Sequence, residues 1–202
     1  MTRRKSFIGI ATALLIFAVF VVATAAPQTD TWKVLTPEGE GFSVMLPVKP
    51  DVSSDRVPIM GNTYQMRLYT APDKASGLLY MVVMQEFPSL AGALTPAKRL
   101  ESFITGFKSG LGETLGSAVG GKFEMTLDRE LSLGSNIGRQ YLISIGETHG
   151  VVRAFDADRR VYVLLLLGAQ EKDPTATRFF NSFEIRSAPD PVPQPVASKP
   201  NS

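Results

Sequence analysis

Apolar side chains recur at every second position over several short segments of this chain, the pattern of β-strands with a buried face. Phe42, Val44 and Leu46 share one face of such a segment. Pro47 ends it, because proline has no amide hydrogen to donate to a neighbouring strand. A shorter apolar segment, 32–35, precedes it across a proline–glycine turn. We therefore predict that the domain opens with a β-hairpin.

Two segments, 78–87 and 161–167, are apolar on both faces, which is typical of strands covered from both sides. Further strands are predicted at 60–69, 122–133, 139–145 and 151–155, and the second apolar segment extends back to Arg160. The links between consecutive strands of the second half are mostly too short for a helical crossover. Those strands are therefore expected to be antiparallel.

Two segments have helical spacing. The first, 96–110, follows the capping pair Thr95-Pro96 and is expected to end near Gly110 or Gly112. Its apolar positions, expected to form one buried face, are Leu100, Phe103, Ile104, Phe107 and Leu111. The second follows Asp173-Pro174 and directs Phe179, Phe180 and Phe183 to the core.

These elements predict an α+β fold, an antiparallel β-sheet with helices on both faces, because strands that are apolar on both faces need a covering layer on each side. One hydrophobic N-terminal helix is expected to precede it. The predicted divisions of the chain are 1–25 as the leader, 26–30 as a linker, 31–186 as the folded domain and 187–202 as a disordered tail. The tail has five prolines in sixteen residues and too few apolar side chains to order itself.

The leader has a basic start at Arg3, Arg4 and Lys5, an apolar segment over 7–26 and a small-residue pattern at 23–25. This predicts a signal peptide cleaved after Ala25. The apolar segment is also long enough to remain as a transmembrane anchor. Either alternative places the domain outside the cytoplasm, as a periplasmic or extracellular protein or one anchored in the inner membrane.

Composition narrows the chemistry. The chain has no cysteine, which excludes disulfides, thiolate catalysis and cysteine-ligated metals. Three of the 21 basic residues lie in the leader, so the rest of the chain carries 18 basic against 19 acidic residues. A nucleic-acid partner is not expected, because such proteins present a basic surface.

Short motifs at the two ends of the domain resemble one family. They are Trp32, the segment Gly41–Pro47 with Lys49-Pro50, and Arg178–Phe183. These residues are similar to those of the small exported domains related to the photosystem II accessory protein PsbP and the Ran-binding protein Mog1, over about 31–186. The resemblance implies an α-β-α sandwich of the exported bacterial type and an accessory or partner-binding role without catalysis. No functional residue of that family can be matched here.

A few polar side chains could in principle support catalysis or metal binding. His149, the only histidine, is expected in a solvated turn, because a general base needs oriented partners and one histidine cannot form a multi-histidine metal site. Asp156 and Asp158, with Arg159 and Arg160, are expected to form a charged turn, since the arginines would repel a cation. Glu124, Asp128 and Glu147 are the carboxylates on which a hydrolase or lyase would depend.

Three further patterns have structural interpretations. The glycines of 110–116 lack the spacing of a phosphate-binding loop and are expected to form a helix end with a flexible link. Ser43 and Ser135 lack the flanking residues of a nucleophile elbow. The methionines of the strands are expected to fill the core rather than bind copper: Met45, Met66, Met81 and Met84.

The sequence therefore predicts no enzyme, no cofactor, and no catalytic or metal site. It favours a partner-binding accessory domain at the cell envelope, whose partner is a protein of unknown identity and whose contact with membrane is limited to an uncleaved leader. The alternatives are a carrier of a small ligand or lipid, which needs an apolar cavity of about 300 Å³ or more, and the carboxylate-dependent hydrolase or lyase.

Overall fold

The computed structural model describes residues 31–59, 62–87, 94–119 and 122–186. The leader, the linker and the proline-rich tail lie outside these ranges, so their assignments, and that of the N-terminal helix, remain predictions. Across the described ranges, neither helix combines the length and the apolarity that crossing a bilayer requires.

The described ranges contain ten strands and two helices. In chain order they are β1 (Lys33–Leu35), β2 (Phe42–Leu46), β3 (Asp51–Ile59), β4 (Asn62–Asp73), β5 (Leu78–Glu86), α1 (Pro96–Val119), β6 (Phe123–Leu133), β7 (Asn136–Ile145), β8 (Thr148–Ala157), β9 (Arg160–Leu167), α2 (Pro174–Asn181) and β10 (Glu184–Ile185).

Seven of the strands form one sheet, in the order β3-β4-β5-β9-β8-β7-β6, and every neighbouring pair is antiparallel. This confirms the predicted α+β class with an antiparallel sheet. The two strands predicted to be apolar on both faces, β5 and β9, pair with each other near the centre of the sheet. Burial on both sides explains their composition, because most side chains on both faces of these strands are shielded from water.

Alternate residues of β9 belong to two separate apolar clusters. Val163 and Leu165 lie in the α1-side cluster, which also contains Leu100 and Ile104 of α1. Residues of the opposite parity lie in the α2-side cluster. Its members from β9 and α2 include Leu164, Leu166, Ala176 and Phe179. β9 therefore contributes to two different apolar clusters, one that includes residues of α1 and one that includes residues of α2.

A second, three-stranded sheet, β1-β2-β10, adds Phe42, Val44 and Leu46 to the α2-side cluster. The pairing of β1 with β2 confirms the predicted opening hairpin. The pairing of β10 with β2 brings the end of the domain beside its beginning, which the sequence pattern did not predict.

The Asp173 carboxylate caps α2 by accepting a hydrogen bond from the backbone N–H of Thr175 at 2.7 Å. Pro174 occupies the first turn, where a missing amide hydrogen has little cost. Phe179 and Phe180 are buried, and Phe183 follows them into the same cluster. All three aromatic positions therefore face the core, as predicted.

The edge strand β3 was not predicted, because most of its side chains are polar and exposed. Its backbone pairs with β4 over nine residue pairs, from Asp51 with Thr70 to Ile59 with Asn62. An edge strand need not bury both of its faces, so its sequence shows little alternation of apolar and polar residues. Pro58 is tolerated in β3 because one side of an edge strand makes no ladder hydrogen bonds.

The predicted end of α1 near Gly110 or Gly112 was wrong, since α1 continues to Val119. Leu111 is buried in the α1-side cluster. A Cβ on Gly112 would lie 3.0 Å from the Phe123 ring. Tertiary packing thus outweighs the roughly 1 kcal/mol that an interior glycine costs a helix, and Gly112 admits a neighbouring ring rather than ending the helix.

Candidate functional site

An apolar groove of about 700 Å³ lies between α1 and the β3–β5 part of the large sheet. We define the apolar groove by Phe103, Gly106 and Phe107 of α1 and Met66, Leu68 and Met81 of β4 and β5. The five side chains other than glycine are half-buried, so part of each stays accessible to solvent. The volume falls within the range of roughly 300 to 1,000 Å³ that is typical of small-ligand sites.

The helical repeat of α1 divides its apolar side chains between the core and the groove. Leu100 and Ile104 are buried against the sheet. Phe103 and Phe107 are four positions apart, share a face, and stack with ring centroids 6.2 Å apart and 19° between their planes. Phe87 meets the Phe103 ring edge-on at 6.4 Å. These aromatic contacts give the α1 wall a defined shape.

The sheet wall comes from residues of one parity on β4 and β5. Met66 pairs with Gln85, and Leu68 pairs with Val83. Paired residues of an antiparallel ladder point to the same face, so these side chains and that of Met81 all face α1. The wall is therefore a continuous surface across two adjacent strands.

The described lining of the apolar groove includes no charged side chain, and its polar side chains belong to Gln85 and Ser102. The Gln85 amide nitrogen donates to the backbone oxygens of Glu86 at 2.7 Å and Gln65 at 3.4 Å. Gln85 is therefore a buried polar group whose donors are already engaged by the sheet.

Two contacts hold α1 beside the sheet. Arg99 donates to both carboxylate oxygens of Asp156, at 2.6 and 2.9 Å, and to the backbone oxygen of Asp158 at 2.9 Å. Further along the helix, the Lys108 ammonium donates to the backbone oxygen of Met125 at 2.9 Å. These bonds fix the position of the α1 wall relative to β6, β8 and the turn into β9.

A second polar cluster joins β6, β7 and β8 to the segment before α2. Arg153 donates to Gln140 at 2.7 Å, and Gln140 donates to Asp128 at 2.8 Å. Arg129 donates to Asp128 and to Glu171, and this bonding lowers the pKa of Glu171 to about 2. Each charged group here has an opposite charge beside it, so we interpret the cluster as a structural link between the strands and the segment before α2.

Glu40 is a buried acid in the turn that precedes β2. The Arg67 guanidinium lies 2.8 Å from one of its oxygens. Burial raises the pKa of Glu40, while Tyr69, Arg67 and Arg160 oppose that rise. The backbone oxygen of Glu40 accepts a hydrogen bond from the Tyr162 hydroxyl at 2.8 Å, which anchors this turn to the sheet.

His149 lies in β8, opposite Ser144, and is exposed. The prediction that it lies in a turn was wrong, because the turn between β7 and β8 consists of Gly146 and Glu147. Gly146 adopts a φ of 58°, which glycine tolerates best, so the turn closes in two residues and β8 begins at Thr148, three positions before its predicted start.

The three candidate carboxylates do not form a common site. Glu124 pairs with Lys122 at 2.7 Å, and Asp128 pairs with Arg129 at the same distance. Glu147 lies in the turn between β7 and β8 and is exposed. Among the described residues, no contact joins any two of these carboxylates.

The charged turn predicted from Asp156 to Arg160 is shorter in the structure. Its turn residues are Asp158 and Arg159, since Asp156 belongs to β8 and Arg160 begins β9. Asp156 is buried with Arg99, so describing it as a turn residue was wrong. Within the described ranges, no three histidine, aspartate or glutamate side chains are grouped to hold a metal ion.

The structure changes part of the interpretation of the glycine segment, the two serines and the methionines. The glycine segment 110–116 lies inside α1, so its interpretation as a helix end with a flexible link was wrong. The Ser43 hydroxyl donates to Glu184 at 3.4 Å, and Ser135 lies in an exposed turn. The four methionines lie in different environments. Met84 fills the α2-side core, Met45 is half-buried in β2, and Met66 and Met81 line the apolar groove.

Sequence reasoning did not identify the apolar groove. The residue that could have indicated the groove is Gly106, which interrupts the apolar repeat of α1 between Phe103 and Phe107. A Cβ added at Gly106 would have no atom within 4 Å, so the missing side chain leaves open space. The ion pair between Arg99 and Asp156 could not be predicted from a local pattern, because the two residues lie 57 positions apart in the sequence.

No family model matches this sequence, and no curated protein matches it. Solved structures that are similar to it include the solution structure of cyanobacterial PsbP (CyanoP) from Synechocystis sp. PCC 6803. The TM-score is 0.48 and the identity 13%, covering 82% of this chain and 98% of that one. The relation to Mog1 and to an exported bacterial type remains a prediction.

Proposed function

We propose that this protein is an exported accessory domain without catalytic activity, which binds an apolar partner at the cell envelope through the apolar groove. The proposal includes the finer architecture, a sandwich with one helix on each face of the sheet. The different cluster memberships of α1 and α2 support that architecture. It also includes contact with membrane only through an uncleaved leader, and no nucleic-acid partner.

The apolar groove is the observation that carries the proposal. Large apolar side chains are exposed elsewhere on the described surface too: Val34 on β1, Val52 on β3, Leu127 on β6, and Ile137 and Leu142 on β7. The two on β7 are an odd number of positions apart, so they point to opposite faces of the strand. Isolated exposed apolar residues are normal in soluble proteins. The groove differs because several apolar side chains of α1, β4 and β5 border one uncharged depression. An apolar pocket of this kind is the default candidate for a binding site.

The positions of the reactive side chains support a binding role over catalysis. The described groove lining includes no acid, lysine, arginine or histidine. Glu124 and Asp128 are engaged by basic neighbours, so no acid–base pair with opposed environments arises from them. Export is supported by the basic and apolar pattern of the leader.

A protein partner would insert apolar side chains into the groove. Photo-crosslinking tests this in intact cells, with a photoreactive amino acid placed at Ser102 on the groove. The matched control is the same amino acid at Ser109, which is exposed on α1 and does not line the groove. The proposal expects the protein in the envelope fraction and a discrete crosslinked product from position 102 alone.

Recovery of the protein in the cytoplasm would contradict export. The same products from positions 102 and 109 would contradict a role for the groove.

The second candidate function is a carrier of a small apolar ligand or lipid. The volume of the apolar groove favours it, because about 700 Å³ exceeds the ~300 Å³ that such a ligand needs. Native mass spectrometry of the protein purified from the envelope tests this candidate. A bound species of defined mass supports it, and a mass equal to that of the polypeptide alone contradicts it.

A further inference from the structure

We propose that the occupant of the apolar groove is a single hydrocarbon chain, the acyl chain of a fatty acid or lipid. This inference rests on the binding role proposed for the groove and names the chemistry of its ligand. It follows from the polarity of the lining, the flexibility of the sheet wall and the open space beside Gly106.

The apolar lining disfavours an extended peptide as the occupant and suits a hydrocarbon chain. Every residue of an extended peptide brings a backbone donor and an acceptor, and each needs a hydrogen-bond partner once water is removed. The polar lining residues are Gln85 and Ser102. The Gln85 amide nitrogen already donates to two backbone oxygens. A methylene chain requires no such partners, so it loses nothing on entering.

The side chains of the walls suit a flexible, linear ligand. Met66 and Met81 are unbranched and half-buried, and methionine adapts its shape to an irregular neighbour. On the opposite wall, lining residues recur from Ser102 to Leu111, ten residues that span about 14 Å along the helix. The stacked rings of Phe103 and Phe107 lie within that span. A chain lying parallel to α1 would contact both walls along its length.

Gly106 leaves the space that such a chain would occupy. Glycine costs a helix interior about 1 kcal/mol relative to alanine, yet no packing constraint requires glycine here, because a Cβ would meet nothing within 4 Å. Gly112 in the same helix shows the contrast, since a Cβ there would press on the Phe123 ring. The position of Gly106 in the groove lining is therefore consistent with a requirement for open volume.

The test uses the full chain as isolated from the envelope, with bound lipid removed, and 11-dansylaminoundecanoic acid as the fluorescent probe. Saturated fatty acids of increasing length displace the probe below their micellar concentrations. The dissociation constant is expected to fall by about two- to fourfold per added methylene, the upper value being that of full burial. Equal affinities along the series, or no probe binding at all, would overturn the acyl-chain assignment.

Variants locate the site. Gly106→Leu adds a side chain whose Cβ meets no atom within 4 Å. By filling the groove it should weaken probe binding at least tenfold, while Gly106→Ala should weaken it less. Ser109→Leu adds the same side chain outside the groove and should bind within twofold of wild type. Thermal unfolding checks that Gly106→Leu is folded, and we expect it to be at least as stable as wild type because leucine favours helix. Unchanged probe binding by a folded Gly106→Leu protein would overturn the proposal.

The same variants separate this inference from the function on which it rests. If fatty acids fail to bind but position 102 still crosslinks to an envelope protein, the acyl-chain assignment is wrong and the binding role of the groove stands. If neither occurs, both are wrong.

Discussion

Arg99 at the start of α1 and Asp156 at the end of β8 form a buried, two-bond ion pair, with donor–acceptor distances of 2.6 and 2.9 Å. Their side chains are 9% and 1% exposed. The pair joins the helix that forms one wall of the apolar groove to a strand near the centre of the sheet. It therefore couples the stability of the domain to the position of that wall.

Asp156→Asn should lower the free energy of unfolding by about 3 to 5 kcal/mol, because it leaves the Arg99 guanidinium buried without a counter-charge. Urea unfolding measures the change. The control is Glu124→Gln, which removes an exposed partner of Lys122 and should leave the unfolding midpoint unchanged. An Asp156→Asn protein as stable as wild type would show that the pair does not hold α1 in place.

Gly41→Ala should destabilise the protein more than Gly39→Ala. Both glycines have positive φ, 69° and 76°, so each alanine carries a backbone cost of about 1 to 2 kcal/mol. A Cβ on Gly41 would also lie about 3 Å from Arg160, Tyr162 and the backbone of Arg186, whereas one on Gly39 meets open space. We expect a total loss of about 2 to 4 kcal/mol for Gly41→Ala in thermal or urea unfolding. Equal losses would contradict the close packing around Gly41.

Glu40→Gln should raise the free energy of unfolding at pH 7. Burial raises the pKa of Glu40 in the folded protein above its ordinary value of 4.5, so ionisation is less favourable there than in the unfolded chain. The stabilising contribution of Glu40 is therefore complete below pH 4.5 and is lost as pH rises through the folded pKa. Glutamine does not ionise, so the variant does not lose this stability as pH rises.

The measurement for Glu40→Gln is urea unfolding from pH 4 to pH 8, with the exposed Glu38→Gln as the control. The difference from wild type should grow with pH for position 40 and should exceed the difference for position 38 at pH 7. A difference at position 40 that shrinks as pH rises would show that Arg67 stabilises the carboxylate more than burial penalises it.

Arg129→Gln should raise the pKa of Glu171 from about 2 towards 4.5, because the hydrogen bond from Arg129 is the main cause of its depression. The folded pKa lies below the unfolded one, so the contribution of Glu171 is present above pH 4.5 and is lost as pH falls towards 2. An NMR titration of the Glu171 carboxyl carbon measures the shift. Wild type should also lose stability more steeply than the variant in that acid window. A Glu171 pKa unchanged by the substitution would assign the depression to Gln140 or Arg153 instead.

The local elements with a strong pattern could be predicted from the sequence. The continuous apolar segment of β9 was placed from Arg160 to Leu167, as observed, because a strand buried on both faces has little freedom in composition. The Asp173 cap and the aromatic spacing of α2 are local too, since the capping bond joins Asp173 to Thr175 two positions away. Periodicity and capping act over a few residues, so the sequence alone determines them.

Long-range contacts decided what the pattern could not predict. β3 is held by backbone pairing with β4, and backbone pairing leaves almost no mark on side-chain composition. The extension of α1 through Gly110 and Gly112 depends on packing against the sheet.

The apolar groove exists because Phe103 and Phe107 of α1 come to face Met66 and Met81 without closing the space between them. An apolar residue in a sequence is equally suited to a filled core and to an open groove. Only the three-dimensional arrangement of its neighbours decides whether water can still reach it.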